Sequence, residues 1–371
     1  MADMNVTPAR PGLTPTIWDS DYFTEYVRNN QFSRYFGTSM DSMIQVRDDL
    51  TRKAGDSIVF ASVRRLIGAG VTGNVVLEGN EELLNARSLK VSVSAFRHAV
   101  AVSEWDEQKS VIDLRNAARD ALLVWEKEKM RNDIIAALGA MTANADVSLT
   151  YAAATAAQRN FWLASNADRV LFGNAVVNSV SGVMATALAT VDNTTDKMTA
   201  ATLMLAKRRA RLASPHIRPI RVNADEEWYV VFVPSLAFRD LMADPVIIAS
   251  MQYAWDRGKD NPLFSGGDIL YGGMIIREIP ELPVLHSGDT GGSTIDVGFS
   301  YLCGAQAIGI GWAQRAKSTT NVRDYDWFHG VGISEIRGIS KMRFGTDATT
   351  DGTTPVDAGV VTIVTSAVAD A

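Results

Sequence analysis

"VLEGNEELL", residues 76–84, sets three glutamates and a glycine between two stretches that otherwise read as β-strand. Residues 56–67 (DSIVFASVRRLI) precede it and residues 89–100 (LKVSVSAFRHAV) follow it. Leu89, Val91, Val93 and Ala95 alternate with Lys90, Ser92 and Ser94, the period of two expected of a half-buried strand. The stretch therefore predicts a long two-stranded arm over 56–101 with a charged, glycine-broken tip. An isolated pair of strands is only marginally stable in water. The arm should thus need a partner surface, and nothing nearby in the sequence offers one.

The remainder of the chain fits a protein with a sizeable core. Its 371 residues are 47% hydrophobic and 21% charged, the balance of a folded, water-soluble chain. A net charge of −6 argues against a general polyanion binder. The one cysteine, Cys303, excludes an internal disulfide framework and lies in the apolar run YLCGAQAIGIGW, so it reads as a buried small side chain. The polar, proline-bearing start has no apolar region of the secretory kind, and no segment is long and apolar enough to cross a bilayer. The expectation is a chain that stays in the compartment where it is made.

Outward from the arm, residues 1–55 are turn-rich and then aromatic, with Trp18, Tyr22, Phe23, Tyr26 and the 32–36 cluster at near-helical spacing. This segment should dock on the chain's own body or on a neighbour. Residues 111–138 predict the longest helix, with Ser110 and Asp113 as a capping-box-like start and Gly139 as a stop. Val111, Leu114, Ala118, Ala121, Leu122, Trp125, Met130, Ile134, Ile135 and Leu138 form its apolar stripe. Residues 140–165 read as a loop or insertion. A small-residue helix is expected near 174–190, a basic helix over 199–213 and a partly helical stretch over 235–251. Strands are expected at 228–235, 272–279 and within 299–312 and 329–344. Residues 345–371, with four aspartates and no basic residue, read as a tail in which VVTIVTSAV could add an edge strand.

Several motifs resemble active sites and fail on context. Gly68, Gly70 and Gly73 spell G-x-G-x-x-G, yet β-branched residues and Gly79 follow where a phosphate-holding helix is required. Gly288-Asp-Thr-Gly-Gly292 imitates protease signatures, but its flanks are turn residues and no second aspartate loop accompanies it. His98, His216, His286 and His329 are scattered, without metal-ligand spacing. Asp106-Glu107 and the tip glutamates read as solvated charge. The run 207–221 carries six Lys/Arg without the interleaved aromatics of a single-strand binder. No catalytic residue, cofactor or metal is expected.

The order of segments then carries a resemblance. GDSIVF, IGAGVTGNVVLEGNEELL, FRHAV and DLRNAARDALLVWEKE are followed by ADRVLFGN, YVVFVPSLAFRDLMAD and NPLFSGGDILYGGMIIRE, and finally by CGAQAIGIGW and GISEIRGISKMRFG. Together they resemble the major capsid proteins of tailed bacteriophages, the branch typified by the coat protein of phages such as N-four. The pairing of LEGNEE with CGAQA is the more specific part of the match. The resemblance implies an α+β chain with the Hong Kong 97-type fold. Its parts would be an N-terminal arm (1–55), an extended loop (56–101), and a peripheral domain with the spine helix (102–164). An axial domain (165–271), a return to the peripheral domain (272–345) and an acidic tail (346–371) would complete it. It further implies self-assembly into hexamers and pentamers of an icosahedral head around double-stranded DNA held non-specifically. Portal, scaffolding and decoration proteins would be partners, no membrane would be involved, and assembly would take place in the host cytoplasm. Arg64, Arg65, Glu78, Glu81, Glu82, Arg87 and Lys90 would lie in an intersubunit contact made by the extended loop. A compartment of the encapsulin type shares the implied fold and stands as the nearest alternative; an aspartic-type hydrolase is the alternative of another class.

Overall fold

The computed structural model describes residues 31–48, 56–63, 68–82 except 69 and 75, 86–110, 112–143, 147–179, 182–221, 226–255, 269–289, 291–345 and 355–370. Two units emerge. The smaller comprises residues 1–29, 96–129 and 316–335, the larger 30–95, 130–315 and 336–371. The chain passes between them within the helix Leu114–Leu138 and within the strands Ile308–Arg323 and Phe328–Lys341.

The larger unit is organised by an eight-stranded mixed sheet. Its main path runs Ile269–Tyr271, Met274–Glu278, Glu227–Val233, Val297–Cys303, Val360–Ser366 and Val170–Phe172; Val284–Leu285 and Ile220–Arg221 pair beside it. The central segments are β-branched and aromatic runs, which suit strands covered on both faces. Alternation sorts their side chains. Val231, Val233, Leu302, Val361 and Ile363 meet the helices Ala200–Leu212, Ser235–Met242 and Pro245–Trp255 through Leu203, Ala206, Ala210, Ala237, Leu241 and Ile247. Val230, Phe232, Phe299, Tyr301 and Val364 turn the other way, onto Ile134, Leu138, Trp162 and Leu163. The basic helix lies where its pattern places it. Thr199 caps it by accepting the Thr202 amide, and Ala213 ends it.

Four expectations need correction. Residues 140–165 are not a loop. They form a hairpin, Met141–Ala143 with Val147–Leu149, and then the helix Ala156–Ser165. A Thr155/Gln158 capping box starts that helix, and Trp162 and Leu163 are buried in the core. Residues 346–354 lie outside the described residues, but from 355 onward the C-terminal stretch is neither tail nor edge. Val360–Ser366 is a central, fully buried strand, antiparallel to Val297–Cys303 and parallel to Val170–Phe172. Its unbroken β-branched run has the composition of a strand covered on both sides. The helix expected at 174–190 is instead a single 3₁₀ turn, Val176–Ser179, and a short helix, Met184–Ala189. The long helix begins at Leu114 because Asp113 Oδ1 accepts the amides of Arg115 and Asn116, while Ser110 turns back on Ile112. Its 25 residues span about 37 Å.

The segment 18–26 lies outside the described residues. At 32–36, Phe32 is buried and meets the Phe232 ring edge-on at 4.9 Å, so this part of the aromatic stretch docks on the chain's own body. The smaller unit has a core of its own, with Leu122 packed against Val331 and Ile333 beside Val100 and Trp125.

Candidate assembly interface: the arm and its seat

The arm is real but shorter than expected: its second strand ends at Ser92, and Ser94–Ser103 instead pairs with Phe328–Lys341 in a separate five-stranded sheet; the two ends of the arm differ. Ser57–Val63 and Ala86–Ser92 pair antiparallel, which sets Ile58 opposite Val91 and Phe60 opposite Leu89. These four side chains share one face and are buried with Met342. Val59 and Lys90, opposite each other on the other face, are exposed. The buried face rests on the chain's own strand Ile308–Arg323, at a notch made by Gly309 and Gly311. A Cβ on Gly311 would lie 2.8 Å from Ile58 Cδ1. One on Gly309 would lie 2.8 Å from Met342 Sδ and 3.1 Å from the Phe60 ring. The Arg47 guanidinium covers Phe60 at 5.3 Å and donates to the Val59 carbonyl. The expectation that the strands need another copy is therefore corrected for the base of the arm. Its seat comes from residues about 250 positions away in the same chain, which no local pattern announces.

The tip fastens to itself. Glu82 Oε2 accepts the Gly68 amide and Glu81 Oε2 accepts the Gly79 amide, both at 2.7 Å. Asn80 donates from its backbone to Leu77 O and from Nδ2 to Val76 O. Gly79 sits at φ +88°, a conformation that side-chain-bearing residues adopt at a cost. Val76 and Leu77 are left on the outside, 67% and 62% exposed.

Of the residues singled out in the sequence, Glu78, Glu81, Glu82 and Lys90 are exposed on the arm. Arg64 and Arg65 lie outside the described residues, as does the Arg87 side chain. Glu81 and Glu82 are brought onto amides of their own loop. Lys90 lies close enough to Asp56 to help hold its carboxyl below the usual range, after the larger effect of the Ser57 hydroxyl donating to it at 2.9 Å.

The discounted motifs have structural employment. Among the described residues, no helix lies between Gly73 and the strand Ala86–Ser92. Asp289 accepts the His286 amide and closes a turn onto Gly292, while His286 Nδ1 meets Asp296 at 2.9 Å in the same exposed loop. Four of the six cations in 207–221 are held within the chain: Lys207 on Gly272 O, Arg209 on Ala167 O, Arg211 on Glu227 and Arg218 on Asp41. Glu107 is paired with Arg115. Cys303 is buried, and that burial pushes its thiol pKa well up, away from reactive thiolate. Among the described residues no cluster of acids, histidines or cysteine could hold a metal ion.

One constellation escaped sequence reading. Lys341 Nζ and Asp357 Oδ2 form a buried ion pair at 2.7 Å, with Trp162 Nε1 donating to the same oxygen. The Asp357 amide donates to Asn166, and Arg169 donates to the Asp357 carbonyl. The segment that leads into the C-terminal strand is thereby tied to strand Phe328–Lys341 and to the loop before strand Val170–Phe172. The residues carry no recognisable spacing, because the lysine and aspartate meet only through the tertiary fold.

An eight-stranded mixed sheet, a spine helix and a two-stranded arm place the chain in the Hong Kong 97-type shell-protein class, as its structural matches show. The capsid asymmetric unit of cyanophage Pam1 superposes with a TM-score of 0.86 at 32% identity, covering 99% of this chain and 100% of that one. The capsid of Ralstonia phage GP4 matches over the full length of both chains at TM-score 0.74 and 23% identity, a likeness of fold. The major capsid protein of Pseudomonas phage KPP25 is 29% identical over 95% of each chain. The family model described as phage capsid protein matches residues 7–369, and the chain belongs to that family. It is a phage major capsid protein, a structural component of the virion shell.

Proposed function

We propose that this capsid protein closes its shell through the extended loop 56–101, which acts as a strap laid across a neighbouring copy. The observation that carries the reading is the asymmetry of the arm, seated on its own chain at the base while its tip exposes apolar side chains. The segment bearing Arg64, Arg65, Glu78, Glu81, Glu82, Arg87 and Lys90 lies in that contact. Exposed ion pairs are worth about 0–1 kcal/mol each, so charge sets register and apolar burial supplies most of the affinity. Contacts that are individually weak suit a shell that must correct errors as it grows. In this reading the copies form hexamers and pentamers and enclose double-stranded DNA non-specifically. Portal, scaffolding and decoration proteins join them during assembly in the host cytoplasm. Residues 1–55 serve as the N-terminal arm, 102–164 and 272–345 as the peripheral domain, 165–271 as the axial domain and 346–371 as the C-terminal segment.

The test is to replace 68–82 with a short glycine-serine turn and examine the product by electron microscopy. The expected result is folded protein that forms capsomers and no closed shells. Normal shells from that variant would sink the strap. Nuclease-protected double-stranded DNA in native particles checks the cargo, and a shell loaded with a single enzyme would overturn that part.

A further inference from the structure

We infer that the tip docks on a second copy of this chain through an apolar knob, Val76 and Leu77. On this inference Glu81 and Glu82 serve as internal staples that hold the knob in shape and are not themselves the recognition groups. The inference rests on the strap reading and refines it. Three observations converge. The carboxylates of Glu81 and Glu82 each accept a backbone amide of their own loop at 2.7 Å. One oxygen of each carboxylate is thereby committed to the loop's own backbone, which fixes the direction of the side chain. Asn80 closes the turn from Val76 to Asn80 with two further bonds, so the loop holds its shape before any partner arrives. What this turn presents outward is a pair of branched aliphatic side chains, each about two-thirds exposed, with Glu78 beside them.

The occupant of choice is another copy because relatives of this family build their shells from many copies of one chain. The other face of the reasoning concerns organisation. A turn ordered in advance loses little conformational freedom on docking, so a small apolar contact can still yield useful affinity. Repeated over every copy in a shell, a modest contact suffices.

Charge docking and apolar docking part on three measurements. Glu81→Gln with Glu82→Gln removes both charges yet keeps an oxygen that accepts each amide. Leu77→Ser, alone and with Val76→Ser, keeps every charge and removes the knob. These positions are exposed, so both proteins should fold with wild-type circular dichroism. The protein concentration for half-maximal shell assembly should rise about tenfold or more for Leu77→Ser. It should stay within about twofold for the double glutamine variant, which keeps the amide-accepting oxygens that hold the turn and loses only exposed charge. Raising salt from about 0.1 to 1 M, which collapses the screening length from roughly 10 to 3 Å, should leave tip docking intact. Amides 76–80 should gain hydrogen-exchange protection on going from capsomers to shells. Loss of assembly in the double glutamine variant, with Leu77→Ser unaffected, overturns the inference. Shells that close without residues 68–82 at all overturn the strap reading itself, and the two failures are distinguished by that deletion.

Discussion

The base and the tip of the arm are built on opposite principles. At the base, four apolar side chains from two strands are buried together, and two of them, Ile58 and Phe60, enter a notch cut by glycines in a distant strand. The fit is decided by volume. At the tip, backbone amides are met by side chains from the same short loop, and the apolar groups point away from the chain. There the fit is decided by hydrogen bonding. The contrast separates two jobs: the base belongs to the fold of one chain, and in the strap proposal the tip belongs to the contact with a neighbouring copy. A change at the base should therefore be felt in the isolated protein, and a change at the tip only in the assembled state.

The largest expected effect breaks the base. Phe60→Ala leaves a cavity between Met342, Leu89 and the glycine notch, and such truncations cost about 3–5 kcal/mol. A denaturant titration following the arm, with a fluorophore placed on it, should show early loss of its structure. An unchanged transition would mean that the seat contributes nothing to the free chain. Smaller is the reverse experiment. Gly309→Ala fills the notch from the other side, bringing a methyl to 2.8 Å from Met342 Sδ. Overpacking of that kind costs about 1–3 kcal/mol. The pair Gly309→Ala with Met342→Ala should recover part of the loss, because the methyl then has room.

The tip should answer on a smaller scale. Gly79→Ala forces a side chain into a left-handed backbone at φ +88°, at about 1–2 kcal/mol, and loosens the turn that displays Val76 and Leu77. Thermal unfolding of the isolated protein should barely move, while exchange of the Asn80 amide should speed up. A lowered global midpoint, matching that of Gly309→Ala, would erase the distinction between the two ends.

Much of this was legible before any coordinates. Period-two alternation placed the arm strand at Leu89–Val91, and the basic helix was expected over 199–213, close to its observed bounds. The order of segments pointed to the capsid fold. What could not be read were meetings between distant residues. The glycines at 309 and 311 look like flexible links until Ile58 and Phe60 are set on them. Lys341 and Asp357 have no motif, and their pairing depends on a strand whose place at the chain's end suggested an edge. Thr155 and Gln158 did carry a local signal, a capping box, hidden in an alanine-rich stretch that reads as loop. Glutamates at a tip look like recognition groups, and only the positions of the Gly68 and Gly79 amides reveal that two of them fasten their own loop.

The smallest effect concerns pH at the rim of the base. Asp56 opens the first arm strand; its carboxyl is held below the ordinary range chiefly by the Ser57 hydroxyl and then by the charge of Lys90. A depressed native pKa means that the unfolded chain takes up the proton first as pH falls. The contribution is thus complete above the unfolded value of about 3.9 and disappears as pH drops through the lower native value. Asp56→Asn should therefore lower the midpoint of arm unfolding slightly at neutral pH, and wild type and variant should converge in acid. Because the group is exposed, the gap should also narrow with salt, through the Lys90 part alone. The Gly309→Ala defect, which is steric, should persist across the same pH and salt range. A base that loosened in acid as much in Asp56→Asn as in wild type would show that its acid response comes from other carboxylates, leaving packing as the only local support of the seat.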